Sequence, residues 1–111
     1  MSDFFVDLSQ CHSFELFPGV RLHTTAGREI MLSRVVFEPG AVVEAHSHPH
    51  EQAGMVLEGK ARFFVGDEER VLGPGDMYHI PGGVTHRVVA LEERCVALDV
   101  FHPIREEYLP K

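Results

Sequence analysis

The chain has 111 residues, enough for one folded domain with a real core and too few for two. Its 44% hydrophobic content is ordinary for a globular protein, and no stretch approaches the roughly 20 apolar residues of a membrane-spanning helix. Against 10 basic residues stand 17 acidic ones, a net charge of −7 with no block of like charge, which argues against nucleic acid or an anionic membrane surface as partner.

At the N-terminus, Met-Ser-Asp-Phe-Phe-Val-Asp has no basic segment leading into an apolar run, so no secretory signal is expected. Cys11 and Cys95 are far apart and do not make a disulfide framework, which points to a cytoplasmic protein with reduced thiols, each read first as a small buried hydrophobe. Residues 1–25 are the least regular part and read as a strand or two at a sheet edge or dimer contact. From there strand-like runs alternate with turn signals. Residues 30–38 end at Pro39-Gly40, 53–57 at Glu58-Gly59, 61–65 at Gly66-Asp67, and 69–72 at Gly73-Pro74-Gly75-Asp76. Residues 77–80 end at Pro81-Gly82-Gly83, 87–91 at Glu92-Glu93, and 94–101 before Pro103. Short strands at this spacing, without sustained helical periodicity, predict a single all-β sandwich or barrel over residues 1–111.

Within that pattern His46 and His48 are one residue apart. Side chains alternate along a strand, so on extended backbone both imidazoles project the same way, as a divalent ion requires. Gln52 reaches the same centre as an oxygen donor if the chain bends at Pro49, and His86 is a further candidate downstream. His50 shares their parity, but Pro49 breaks the register, so it reads as a rim residue; His79 stays open, and His12, His23 and His102 read as surface histidines without a motif. In 95–101, Asp99 and Phe101 share one face, with Val96, Leu98 and Val100 on the other. An aspartate in such a strand either faces solvent or has a use. Arg105, just past Pro103, is placed to fold over the barrel mouth and receive a carboxylate.

These residues resemble the two cupin motifs. Gly40, His46, His48 and Gly59 fit the first, at 40–59, and Gly75, Pro81, Gly83 and His86 the second, at 75–90. The resemblance implies a cupin double-stranded β-helix, a small jelly-roll barrel with its metal inside. Gln52 stands where many cupins carry glutamate, and Ala90 where the second motif often ends in asparagine. A neutral amide leaves the site with the full charge of its ion, which favours polarising an anionic substrate over stabilising a higher oxidation state.

Together, His-Ser-His-Pro-His-Glu-Gln at 46–52 and the Asp99 to Leu109 segment look like the small cupins of the pectin-degradation protein family, which convert 4,5-unsaturated monouronates to linear keto-uronates. That resemblance implies one divalent ion held by His46, His48, Gln52 and His86, with zinc, nickel, manganese, iron and cobalt all compatible. It also implies functional roles for Asp99 in proton transfer, Arg105 on the substrate carboxylate and Phe101 against the sugar ring. Two other classes remain open: a metal-dependent cupin oxygenase, and a non-catalytic module that binds or senses a small molecule. A homodimer is expected too, since Phe4, Phe5, Phe14, Phe17 and Phe101 offer more apolar surface than one thin sandwich covers.

Overall fold

The computed structural model describes residue 2 and residues 4–111. Ten strands run in chain order as β1 (His12–Phe17), β2 (Val20–Ala26), β3 (Met31–Phe37), β4 (Val42–His46), β5 (Glu51–Glu58), β6 (Ala61–Val65), β7 (Glu68–Leu72), β8 (Met77–Ile80), β9 (His86–Ala90) and β10 (Cys95–His102). The only helical turns among the described residues are two 3-10 segments, Leu8–Gln10 and Glu106–Tyr108, and none is long and apolar enough to cross a membrane. One sheet has the order β1-β2-β3-β10-β5-β8 and the other β4-β9-β6-β7, with antiparallel pairings throughout.

The sheets form because the sequence alternates. In β3, Met31, Ser33, Val35 and Phe37 point inward and are buried, while Leu32, Arg34 and Val36 point out. Inward residues from both sheets, among them Leu22, Val43, Val56, Phe63 and Val88, close on one another as a single core. The all-β sandwich expected from the run spacing is therefore what forms. The runs at 61–65 and 77–80 coincide with β6 and β8, and the other predicted runs differ from their strands by no more than two residues at either end. The N-terminal stretch supplies β1, an edge strand, and β2 beside it; residues 1 and 3 lie outside the described residues.

Two expectations need correcting. The strand carrying His46 stops there, and His48 lies in the connection to β5, because Pro49 removes a donor and fixes its own backbone angle. Phe14 and Phe17 pack against the core and Phe101 is buried, so of the aromatic surface expected to need a partner only Phe4 and Phe5 stand free, at 89% and 79% exposure. Apolar side chains are instead left on the outer side of the larger sheet, including Leu32, Leu57 and Met77.

The connections β4–β5 and β8–β9 both pass from one sheet to the other. They meet at one end of the sandwich, where the Gly83 N–H donates to the His48 carbonyl at 2.8 Å. A side chain on Gly82 would strike the Pro49 carbonyl, so only glycine lets the two crossovers approach this closely.

If alternation sets the fold, neighbours on β2 must differ sharply. Leu22→Ala, inside the core, is expected to cost about 2–5 kcal/mol of unfolding free energy, and Arg21→Ala, facing out, less than about 0.5 kcal/mol. Urea denaturation of the two variants measures the contrast.

Candidate metal centre

His46 ends β4 and His86 begins β9, and the two are direct cross-strand partners in the smaller sheet. His48 descends from the crossover, and Gln52 enters from β5 of the larger sheet. The result is a cluster in which the ligand nitrogens of His46, His48 and His86 all lie within 4.8 Å of one another. The ring centroids of His46 and His86 are 4.3 Å apart, and those of His48 and His86 5.0 Å. His48, Gln52 and His86 are buried; His46 is half-buried at the mouth.

Ring protonation explains the geometry. Each Nδ1 faces a backbone carbonyl two residues away: His46 that of Glu44 at 2.8 Å, His48 that of His50 at 3.1 Å, and His86 that of Val84 at 2.9 Å. A carbonyl only accepts, so each Nδ1 carries the proton and each Nε2 keeps a lone pair. Burial, with Arg105 and His86 nearby, pushes His48 down to about 4, and burial also lowers His86, so both rings are neutral near pH 7. The His48 Nε2 lies 3.1 Å from the Gln52 Oε1. In a neutral ring whose proton sits on Nδ1, this contact is not a hydrogen bond: two acceptors face each other. The Nε2 of His86 is buried with no partner. Converging lone pairs, one of them orphaned, beside an amide oxygen suit a divalent cation, and the three carbonyl-tethered imidazoles are the arrangement such an ion needs.

Asp99 and Phe101 also point inward, next to this cluster. Asp99 is buried and accepts a short hydrogen bond from the Tyr78 hydroxyl. Burial raises its carboxyl to about 6, against the opposing hydrogen bonds from Tyr78 and Gln52 and the charge of Arg105. In β10–β5–β8, Asp99, Gly54 and Tyr78 occupy one cross-strand row. A side chain at Gly54 would collide with the Tyr78 ring and the Asp99 carboxylate, so this glycine is what lets them meet. Arg105 is buried as well. Its guanidinium lies 4.1 Å over the Tyr108 ring and 5.3 Å over Phe101, donates to the Tyr108 hydroxyl at 2.8 Å, and approaches Glu107 at 3.4 Å.

The structure thus brings all seven sequence-predicted residues to one end of the barrel. His50 is half-buried, its ring 5.5 Å from that of His48 and its Nδ1 buried without a partner. His79 points away, paired with Glu51 on the outer surface at 2.8 Å. Sequence reasoning missed Tyr78, Gly54 and Tyr108. For Tyr78 a signal existed, since it shares strand parity with the buried Ile80; for the other two there was none. A cavity of ≈ 40 Å³ remains among His46, Gln52, Tyr78, His86, Asp99 and Arg105.

Comparison with known proteins agrees with this architecture. The cupin domain family matches residues 33–101. Pectin degradation protein KdgF of Dickeya dadantii (strain 3937) is 35% identical over 97 residues, spanning 86% of this chain and 88% of that protein. The structure of KdgF from Halomonas sp. superposes with a TM-score of 0.86 at 32% identity, covering 98% of this chain and 100% of the other. An RmlC-like cupin from Shewanella frigidimarina NCIMB 400 superposes with a TM-score of 0.88 at 28% identity, over 97% of each chain.

The buried carboxyl has a measurable consequence. With its folded value raised to about 6 from 3.8, Asp99 holds a proton that the unfolded chain releases. Stability of the metal-free protein therefore falls as pH rises between those values, by about 3 kcal/mol at completion. Asp99→Asn, which cannot ionise, is expected to be the more stable protein by about that amount near pH 7, with the advantage gone below about pH 4. Denaturation of both proteins across this range, in chelator, checks the sign.

Proposed function

The chain belongs to the cupin family, and on that premise we propose that it opens the ring of 4,5-unsaturated monouronates to give linear keto-uronates, using a divalent metal held by His46, His48, Gln52 and His86. The observation that carries this reading is the sharing of one cavity by Asp99, Phe101 and Arg105 with the histidine cluster. Two near-full-length relatives bear the KdgF name, one of them as a pectin degradation protein.

The chemistry is an isomerisation. C4 gains a proton, the anomeric hydroxyl loses one, and the bond between C1 and the ring oxygen breaks to leave an aldehyde at C1 and a ketone at C5. Protons lost and gained balance, so a single carboxyl group can serve as both acid and base. Asp99, with its carboxyl near 6, exchanges protons readily at neutral pH. Arg105 receives the substrate carboxylate: stacked on Tyr108 and held by its hydroxyl, it keeps N–H donors for a planar anion, which displaces the weak contact with Glu107. Phe101 supplies an apolar wall for the ring. A bound divalent ion would supply Lewis acidity and a template for substrate oxygens. The donor set of three imidazoles and an amide oxygen suits zinc, nickel, manganese, iron or cobalt.

We extend the proposal to a homodimer, with the apolar outer side of the larger sheet, around Leu32 and Leu57, and the exposed Phe4 and Phe5 as the surfaces that pair. Sedimentation at micromolar concentration is expected to give twice the chain mass; a monomer rejects the pairing.

The activity is read as loss of the conjugated double bond's ultraviolet absorbance when metal-loaded protein meets a purified unsaturated uronate. Asp99→Asn is expected to lower kcat by about 10²-fold or more, whereas Arg105→Ala mainly raises KM, since its contact exists in both ground and transition states. No acceleration over the spontaneous rate, with both galacturonate- and alginate-derived substrates, removes the uronate reading and leaves the oxygenase and the binding or sensing module.

A further inference from the structure

A glutamate at position 52 would offer a metal an oxygen whichever way its carboxylate turned. Gln52 does not have this freedom. One end of its amide is an oxygen donor to a cation and the other an NH₂ group that repels it, so the side chain serves as a ligand in one of two orientations that differ little in shape.

What sets the orientation lies on the same face of the sheet. Gln52 lies in the row next to Gly54, two residues away on β5, and so neighbours Asp99 diagonally across the β5–β10 pair. The NH₂ end of the Gln52 amide is turned to the side of the sheet where Asp99 stands, one row away, since its Oε1 faces His48 Nε2 at 3.1 Å; an amide there favours the ionised form of the Asp99 carboxyl. Flipping the amide would set its oxygen against the carboxylate and its NH₂ against the histidine cluster. Asp99 is held in its turn. The Tyr78 hydroxyl donates to Oδ1, and bare Gly54 leaves room for that contact. Tyr78 is deeply buried, and burial raises its phenol well above the ordinary value, so its hydroxyl stays a donor.

We infer that Tyr78 is a positioning residue for the metal centre: through Asp99 it locks the Gln52 amide with its oxygen toward the three histidines. The chain thus carries the orienting apparatus that an amide ligand needs and a carboxylate ligand does not. This inference rests on Gln52 being a ligand and is independent of the uronate reading.

Affinity for Zn²⁺, measured by competition with a chromophoric chelator on the full chain, tests it through a double-mutant cycle. Tyr78→Phe removes one hydroxyl and keeps the ring. With Gln52 present it is expected to weaken Zn²⁺ binding by about tenfold or more, in the range seen when outer partners of metal ligands are lost. In the Gln52→Glu background, where either orientation presents oxygen, the same change is expected to alter affinity by less than about twofold. A general loosening of the fold would weaken both backgrounds alike, and that result overturns the inference. So does an unchanged affinity in Tyr78→Phe alone. Gln52→Ala separates the two ways of failing: if it leaves Zn²⁺ affinity unaltered, Gln52 is not a ligand and the premise falls; if it weakens binding while Tyr78→Phe does not, the premise stands and the orienting role falls.

Discussion

The whole site depends on one local interaction made three times, an imidazole N–H donated to a backbone carbonyl two residues away. For His46 and His86 the acceptor precedes the ring, at Glu44 and Val84; for His48 it follows, at His50. The backbone next to each histidine thereby fixes both the tautomer and the aim of the ring, and the remaining lone pairs have nowhere to point but at one another. In a buried setting such an arrangement costs free energy until something positive compensates it. The fold tolerates this because the histidines sit on strands and a crossover held by both sheets. For the same reason, binding a cation there ties the two sheets together, and affinity for the ion becomes part of the stability of the barrel.

The approach of the two crossovers is the second constraint. The Gly83 N–H bond to the His48 carbonyl and the absence of a side chain at Gly82 clamp the loop that holds His48. A loop ligand is normally less precisely placed than a strand ligand. Here the clamp gives it comparable definition, and Pro49 adds rigidity of its own. Gly82 and Gly83 therefore hold the crossover that carries His48 as well as forming their own turn.

What the sequence made legible, and what it did not, follows from the range of each interaction. Strand runs bounded by Pro and Gly are local, so β6 and β8 were read to the residue, and the spacing of His46, His48 and His86 within two motifs marked the cluster. His48 reads as strand because parity extends naturally from His46, whereas the strand stops at His46 and the two residues before Pro49 already belong to the crossover. Parity with Ile80 marks Tyr78 as inward-facing, but its partnership with Asp99 across Gly54 exists only in the register of β10, β5 and β8, which no local pattern encodes. The burial of Arg105 was not readable either, since it depends on the stack with Tyr108, three residues on in a turn without strand or helix periodicity. Phe14 and Phe17 read as uncovered surface in sequence because nothing in their neighbourhood shows that the core packs against them.

Charge gives the last link between the fold and its chemistry. The chain as a whole carries −7, which opposes the approach of an anion through bulk solvent. Inside the barrel the sum is different: His48 and His86 are neutral, Gln52 contributes nothing, and the buried Asp99 and Arg105 offset each other. A divalent ion among them would leave the cavity with its full positive charge, where a glutamate at position 52 would remove half of it. Buried charges are weakly screened and distant surface charges strongly so within a Debye length of about 8–10 Å. With such an ion in place, the cavity's field would favour an anion with oxygen donors once a ligand reached the mouth. On the proposed reading, a neutral amide in place of a carboxylate suits an anionic substrate, and it needs an orientation that other residues must hold.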